Sequence, residues 1–273
     1  MTIDLTRAAV YEREVSASLQ RVWENVHDWE HLPWLHAQAF CGIELLDSGP
    51  WGWRARVQLT PRELDRHLVI ELRCEEGAPT YHTRTLEGPG SGSDTRTTLS
   101  ARGDHRTHVR VEFWIPEGEP SVVRATGDAL VTLYTGLWDQ DDIMMQRRQA
   151  FFEGRLGRVK PPPIRAAVPL GPDSTFRARL PYSVEVEGQR FCLRESEGQL
   201  VAHAALCPHL GGPLEEAEIV DGYLVCPWHG YRFSLTDGSN PDGRRCAMAT
   251  PPRVEIDGTG NAHLVFESAE AGR

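Results

Sequence analysis

Two short cysteine–histidine loops constrain this chain more than any other feature. Cys207-Pro208-His209-Leu210-Gly211-Gly212 is followed, with sixteen residues between His209 and Cys226, by Cys226-Pro227-Trp228-His229-Gly230. Each loop offers one soft thiolate and one imidazole, spaced C-x-H in the first and C-x-x-H in the second. Donor sets of this kind suit transition metals. Finger-type zinc sites group cysteine with cysteine and histidine with histidine along the chain, which this order does not do. A pair of irons explains it better, with the thiolates on one, the imidazoles on the other and sulfides between them. Glycines beside both loops permit tight turns and close backbone approach.

The remaining cysteines, Cys41, Cys74, Cys192 and Cys246, have no ligand spacing. The chain has 273 residues, and Met1–Arg7 shows no basic region followed by an apolar core. A disulfide framework is therefore not expected, and these four are expected to be buried free thiols. The net charge is −10 and neither half is basic, which argues against binding nucleic acid. No apolar run approaches the roughly 18 residues of a membrane span. A cytoplasmic protein with no membrane partner is expected, its acidic surface suited to a basic partner.

The chain divides by pattern. A strand before Ser18 leads into a helix with Leu19, Val22, Trp23 and Val26 at helical spacing. Pro33 then predicts a short helix or turn over 30–36. Strand-like runs follow near 40–46, 51–59, 65–74, 80–87, 95–102 and 107–115. Leu68, Ile70, Leu72, Cys74 and Val109, Val111, Phe113, Ile115 alternate with period two. A long helix is predicted over 121–154, its apolar stripe including Leu130, Tyr134, Leu137, Trp138, Met144 and Met145. Residues 1–155 thus form an α+β unit. Lys160-Pro161-Pro162-Pro163 marks a linker over 156–174. Residues 175–268 alternate short strands with turns and form a small all-β domain.

The cluster loops closely resemble the Rieske [2Fe–2S] family. The resemblance implies that Cys207 and Cys226 bind one iron and His209 and His229 the other. Respiratory Rieske proteins carry an extra, disulfide-forming cysteine in each loop. Gly212 and Trp228 stand there in this chain, as in the ferredoxin and oxygenase branch, whose clusters sit at lower potential. The first domain's element order resembles the START-like helix-grip superfamily, in which a curved antiparallel sheet wraps a long C-terminal helix around a cavity.

A second constellation lies in that domain. Glu24-Asn25 precedes Asp28-x-x-His31-x4-His36. This is similar to the mononuclear iron motif of Rieske non-haem iron oxygenases, whose catalytic domains are also helix-grip. The chemistry calls for two neutral imidazoles and one carboxylate on one face of Fe(II), leaving positions open for O₂ and substrate. His31 and His36 are five residues apart, about 140° around a straight helix, so convergence needs the bend at Pro33. The resemblance implies a third ligand from the closing helix, among Asp139, Asp141 and Asp142. Asp141 lies mid-stripe, between Leu137 and Trp138 on one side and Met144 and Met145 on the other, and also aligns with the family's aspartate to within one position. Asp142 is nearer the polar edge. In the family, the residue matching Asp28 links a neighbouring subunit's cluster histidine to an iron histidine, which implies a ring such as a homotrimer.

As a whole, the chain resembles an oxygenase in swapped order, the Rieske domain following the catalytic-type domain. The implied activity uses O₂ and electrons from an NAD(P)H-dependent reductase or ferredoxin. It would hydroxylate or oxidatively dealkylate a small hydrophobic substrate, aromatic ones included. The alternative is a Rieske electron carrier fused to a ligand-binding helix-grip domain without mononuclear iron. A mononuclear site holding only structural zinc is a third possibility. His27, His67, His82, His105, His108, His203 and His263 are expected to be structural or exposed. Trp34, Trp53 and Trp138 are expected in the core or along the cavity.

Overall fold

The structure, a computed structural model, describes residues 4–156 and 167–266. The chain forms two compact units, Met1–Gln149 and Ala150–Arg273.

In the first unit, seven strands form one antiparallel sheet: β1 (Leu5–Val15), β2 (Phe40–Gly49), β3 (Gly52–Leu59), β4 (His67–Cys74), β5 (Thr80–Glu87), β6 (Asp94–Ala101) and β7 (Thr107–Pro116). Their spatial order is β1-β7-β6-β5-β4-β3-β2, so β1 and β2 are the two edges. Register shifts interrupt β1 at Arg7/Ala9, β2 at Phe40/Gly42 and Leu45/Asp47, and β4 at Val69/Ile70. Such bulges bend strands and deepen sheet twist. The six strand-like runs after residue 40 coincide with β2–β7 to within a few residues at each end.

The alternation in β7 buries Val109, Val111 and Phe113 completely. Trp53, Ala55, Val57, Leu72, Tyr81 and Leu99 join them on the same side. Against that face lies α3 (Pro120–Phe152), which contributes Leu130, Val131, Tyr134, Trp138 and Met145. This is the sheet-and-long-helix arrangement expected from the element order.

Between β1 and β2 the chain makes three short turns of helix. In α1 (Leu19–His27), Ser18 caps the start by accepting from the Arg21 N–H, and Val22, Asn25 and Val26 are buried. Helix α1 stops at Asp28, whose φ of −87° and ψ of 80° leave the helical region. A 3₁₀ turn, Trp29–His31, leads into α2 (Leu32–Leu35), with Pro33 in its first turn. Proline is tolerated there because first-turn N–H groups need no helical acceptor. The Trp53 indole N–H donates to Val26 O at 2.9 Å, tying the end of α1 to the sheet.

Among its described residues, the second unit holds three small antiparallel sheets. One contains β9 (Tyr182–Val186), β10 (Gln189–Ser196) and β11 (Gln199–Ala204). The next contains β12 (Glu218–Val220), β13 (Tyr223–Val225) and β14 (Arg232–Ser234). The last joins β15 (Arg253–Ile256) and β16 (Asn261–Val265) to β8 (Val168–Pro172). Phe176, Val186, Phe191, Leu193, Ala202, Ala262 and Leu264 form its core. Within the expected linker 156–174, residues 157–166 lie outside the described residues. The remainder is folded: β8 pairs with β16, and α4 (Asp173–Arg177) supplies Phe176 to the core. Proline content marked the linker, but a strand of five residues has too short a pattern to stand out beside it.

Candidate metal centres

The two cluster loops share one backbone frame. In the first, the Gly211 N–H donates to Cys207 O at 2.9 Å and the Cys207 N–H to Gly212 O at 2.8 Å. In the second, the Gly230 N–H donates to Cys226 O at 2.9 Å and the Cys226 N–H to Tyr231 O at 2.9 Å. The fourth residue after each cysteine is a glycine at positive φ, 75° at Gly211 and 67° at Gly230. That conformation is nearly free only for glycine.

The loops bring the expected ligands together in two pairs, cysteine beside cysteine and histidine beside histidine. Cys207 and Cys226 are buried and form no disulfide. The His209 and His229 ring centroids lie 4.8 Å apart. Burial and the neighbouring Cys226 push the Cys207 thiol well up from its ordinary pKa. Two thiols forced together in a low-dielectric pocket need a compensating cation before both can ionise, which a metal supplies. A Cβ on Gly212 would stand 2.8 Å from Cys226 Sγ, so the loop backbone packs close beside the cysteine sulfur. Donor chemistry, burial and cradle all fit a [2Fe–2S] cluster.

Residues 166–251 match the profile of the Rieske [2Fe-2S] domain family. The chain carries a Rieske domain. The chain also matches curated relatives. Over 94 residues it is 34% identical to chlorophyllide a oxygenase, chloroplastic, of Chlamydomonas reinhardtii, covering 30% of this chain and 14% of that protein. Over 65 residues it is 34% identical to the oxygenase component of 3-ketosteroid-9-alpha-monooxygenase of Rhodococcus rhodochrous, covering 23% and 17%. The chain thus spans under a fifth of the length of these relatives. A START superfamily protein from Mycobacterium smegmatis aligns structurally at 18% identity. That alignment covers 51% of this chain and 98% of that one, with a TM-score of 0.42. No helix among the described residues is long and apolar enough to cross a membrane.

In the first unit, the breaks flanking α2 turn His31 and His36 toward each other. His31 ends the 3₁₀ turn and His36 closes α2 with φ −105° and ψ 38°. Their ring centroids are 5.1 Å apart at 77°. Asp141, on α3, points between them: its Oδ1 lies 3.2 Å from His36 Nε2 and 3.5 Å from His31 Nε2. One ligand atom from each residue falls within 4.8 Å of the others, and all three residues are buried. Metal bonds of roughly 2.1 Å at right angles place neighbouring donors about 3 Å apart, so the set fits a facial triad. The other two acids face away. Asp139 is exposed and pairs with Arg13 at 2.8 Å, while Asp142 Oδ1 accepts from the Ser16 N–H at 2.8 Å.

Burial by itself would lower the His36 pKa. The hydrogen bond and charge of Asp141 and the hydrogen bond to Gln140 outweigh it, and the net direction is upward. The pocket therefore favours a positive charge beside Asp141, whether a proton or a metal ion.

Two neighbours of this trio have no signature in the sequence. Gln140 Oε1 accepts from His36 Nδ1 at 2.8 Å and from Gln38 Nε2 at 2.7 Å. This bond holds a proton on Nδ1 and keeps Nε2 on the side of Asp141, where a metal ion would be met. Arg148, only 2% exposed, donates from Nη2 to Asp28 Oδ2 at 2.6 Å. Asp28 Oδ1 lies 3.9 Å from His31 Nδ1. Asp28 is thus held beside the trio by a buried cation two turns beyond Asp141. Arg148 thus faces inward rather than solvent.

A cavity of about 140 Å³ opens onto the trio. Phe40, Trp53, Ile70, Leu72, Tyr134 and Trp138 are among the residues that line it. Trp34, by contrast, is 45% exposed and lies on the surface. Of the four cysteines without ligand spacing all are free, but only Cys192 is fully buried.

Proposed function

We propose that this chain is a Rieske non-haem iron oxygenase acting on a small hydrophobic substrate. The supporting observation is the convergence of His31, His36 and Asp141 on the wall of an apolar cavity, in a chain that also carries a Rieske domain. When bound, the [2Fe–2S] cluster supplies single electrons and Fe(II) supplies O₂ activation. Cys207, His209, Cys226 and His229 would hold the first; His31, His36 and Asp141 the second.

The chain's own residues do the rest. Gln140 fixes the His36 tautomer. Arg148 orients Asp28 beside His31 Nδ1. In a ring assembly such as a trimer, Asp28 is also the carboxylate that would meet a neighbour's cluster histidine. The apolar wall excludes water and selects a substrate without charge. An NAD(P)H-dependent reductase or ferredoxin is the electron donor this reading requires. The products are a hydroxylated or oxidatively dealkylated compound.

Metal analysis tests the reading. After anaerobic purification and Fe(II) reconstitution, about three irons and two sulfides per chain are expected. The reduced protein should then consume O₂ in a single turnover. A stoichiometry of about two irons and two sulfides, with no turnover, would leave an electron carrier fused to a ligand-binding domain.

A further inference from the structure

Beside the cluster ligands, three side chains are layered from solvent inward. Tyr231 is buried, and its ring lies against His209 with centroids 4.3 Å apart and planes 12° off parallel. The same ring meets His229 edge-on at 6.1 Å. On Tyr231 sits Arg244: its guanidinium carbon is 4.5 Å from the ring centroid, and Nη1 donates to the Tyr231 hydroxyl at 3.0 Å. Arg244 itself faces solvent.

Both ends of this stack are anchored. The Tyr231 carbonyl accepts the Cys226 N–H, so the ring's position is tied to a ligand loop. The Arg244 N–H bonds to Asn240 Oδ1 at 3.3 Å, and Asn240 Nδ2 donates to Arg232 O at 2.9 Å, hooking the arginine's loop onto β14. The neighbouring carboxylate, Asp242, is engaged by Arg232 at 3.1 Å.

We propose that Arg244 is a positioning residue of the Rieske site that raises the cluster's reduction potential, acting through Tyr231 on His209. Reduction adds one negative charge to the cluster. A cation fixed one aromatic ring away from a ligand imidazole stabilises that added charge. The Tyr231 ring carries the guanidinium on one face and the imidazole against the other, so the stack holds the cation at a constant distance. The inference rests on the Rieske domain alone and stands apart from the mononuclear site.

The test is a spectroscopic redox titration of the reconstituted full chain, at low salt and near 1 M salt. Arg244→Gln should lower the midpoint potential at low salt. The reduction equilibrium should fall by about two- to tenfold, tenfold being 59 mV for one electron. The gap should narrow at high salt, because a solvent-facing charge is screened. Arg244→Lys keeps the charge and should recover most of the potential, while Tyr231→Phe keeps the ring, frees the guanidinium and should fall between. Unchanged visible and electron paramagnetic resonance spectra in the oxidised and reduced states establish an intact cluster. Identical midpoints for wild type and Arg244→Gln at low salt would overturn the proposal. So would equal shifts in Arg244→Lys and Arg244→Gln, which would assign the effect to packing. Should Arg244→Gln fail to hold a cluster, a wild-type midpoint in both Arg244→Lys and Tyr231→Phe that is insensitive to salt would overturn it as well.

Discussion

The two candidate metal centres are built on opposite principles. The cluster loops are local: each is a six-residue turn closed by its own backbone hydrogen bonds, with cysteine first and glycine at positive φ in the fifth place. The mononuclear trio is assembled across the chain, from two helix breaks near residue 30 and one position on α3 more than a hundred residues later. Local backbone frames hold the first set; packing of α3 on the sheet holds the second. The local site should therefore depend on its ligands and glycines. The distributed site should depend on buried side chains that support it from a distance.

The largest effects come from the ligands themselves and ask whether the two centres are independent. Cys226→Ser should abolish the cluster's visible and electron paramagnetic resonance signals and leave Co(II) binding at the trio intact. His36→Ala should do the reverse, removing Co(II) binding and O₂ consumption while the cluster spectrum persists. Loss of both signals in either variant would show that the two sites fold as one.

Arg148 measures how far the distributed site leans on buried charge. It is 2% exposed and its partner Asp28 is largely covered. Arg148→Met leaves that carboxylate without its cation, and loss of one member of a buried pair costs about 3–5 kcal/mol. Chemical denaturation should show a loss of that order in the first unit's transition. Asp28→Asn together with Arg148→Met should recover part of it. A loss below about 1 kcal/mol would mean that the pair is effectively solvated.

What was readable in advance follows the same division. The Rieske ligands lie in one contiguous pattern, and the family match covers that region. The sheet was legible because β7 alternates cleanly and its inward residues are apolar; in β4, Val69 and Glu71 are buried as well as Leu72. The choice among Asp139, Asp141 and Asp142 followed from helical phase, since an acid mid-stripe must face the core. Gln140 and Arg148 were not legible as partners, because an amide or a guanidinium on a helix carries no sign of what it meets across the fold. Strand β8 fell within the expected linker for a different reason: at five residues it is too short for a period to be counted.

A pH titration separates the second unit from the first. His203 is fully buried on β11 and its Nδ1 lies 2.9 Å from Ala204 O. Burial lowers its pKa to about 4. The unfolded chain therefore binds a proton that the folded one refuses between about pH 6.5 and 4. Stability is fully present above pH 6.5 and is lost as pH falls through this window, by about 3 kcal/mol in all. His203→Asn, which does not titrate, should flatten that slope in the cluster-containing unit. An unchanged slope would place the acid sensitivity elsewhere.

The smallest expected effect is the most specific to the distributed site. Gln140 touches no ligand atom that faces the shared point; within the trio it meets the far ring nitrogen of His36, whose N–H it accepts. Gln140→Leu removes that acceptor, lets the imidazole populate both tautomers and frees the ring to turn. Outer partners of this kind change metal affinity by about 10–100-fold. Co(II) titration should show a loss in that range with little change in thermal stability, since Gln140 sits at the rim with Gln38. Gln140→Glu should restore affinity or exceed wild type, because a carboxylate is the stronger acceptor for the same N–H. The cluster's spectrum should not move in either variant. If leucine and glutamate weakened Co(II) binding equally, the role of Gln140 would be one of shape, and the distributed site would be held by helix packing alone.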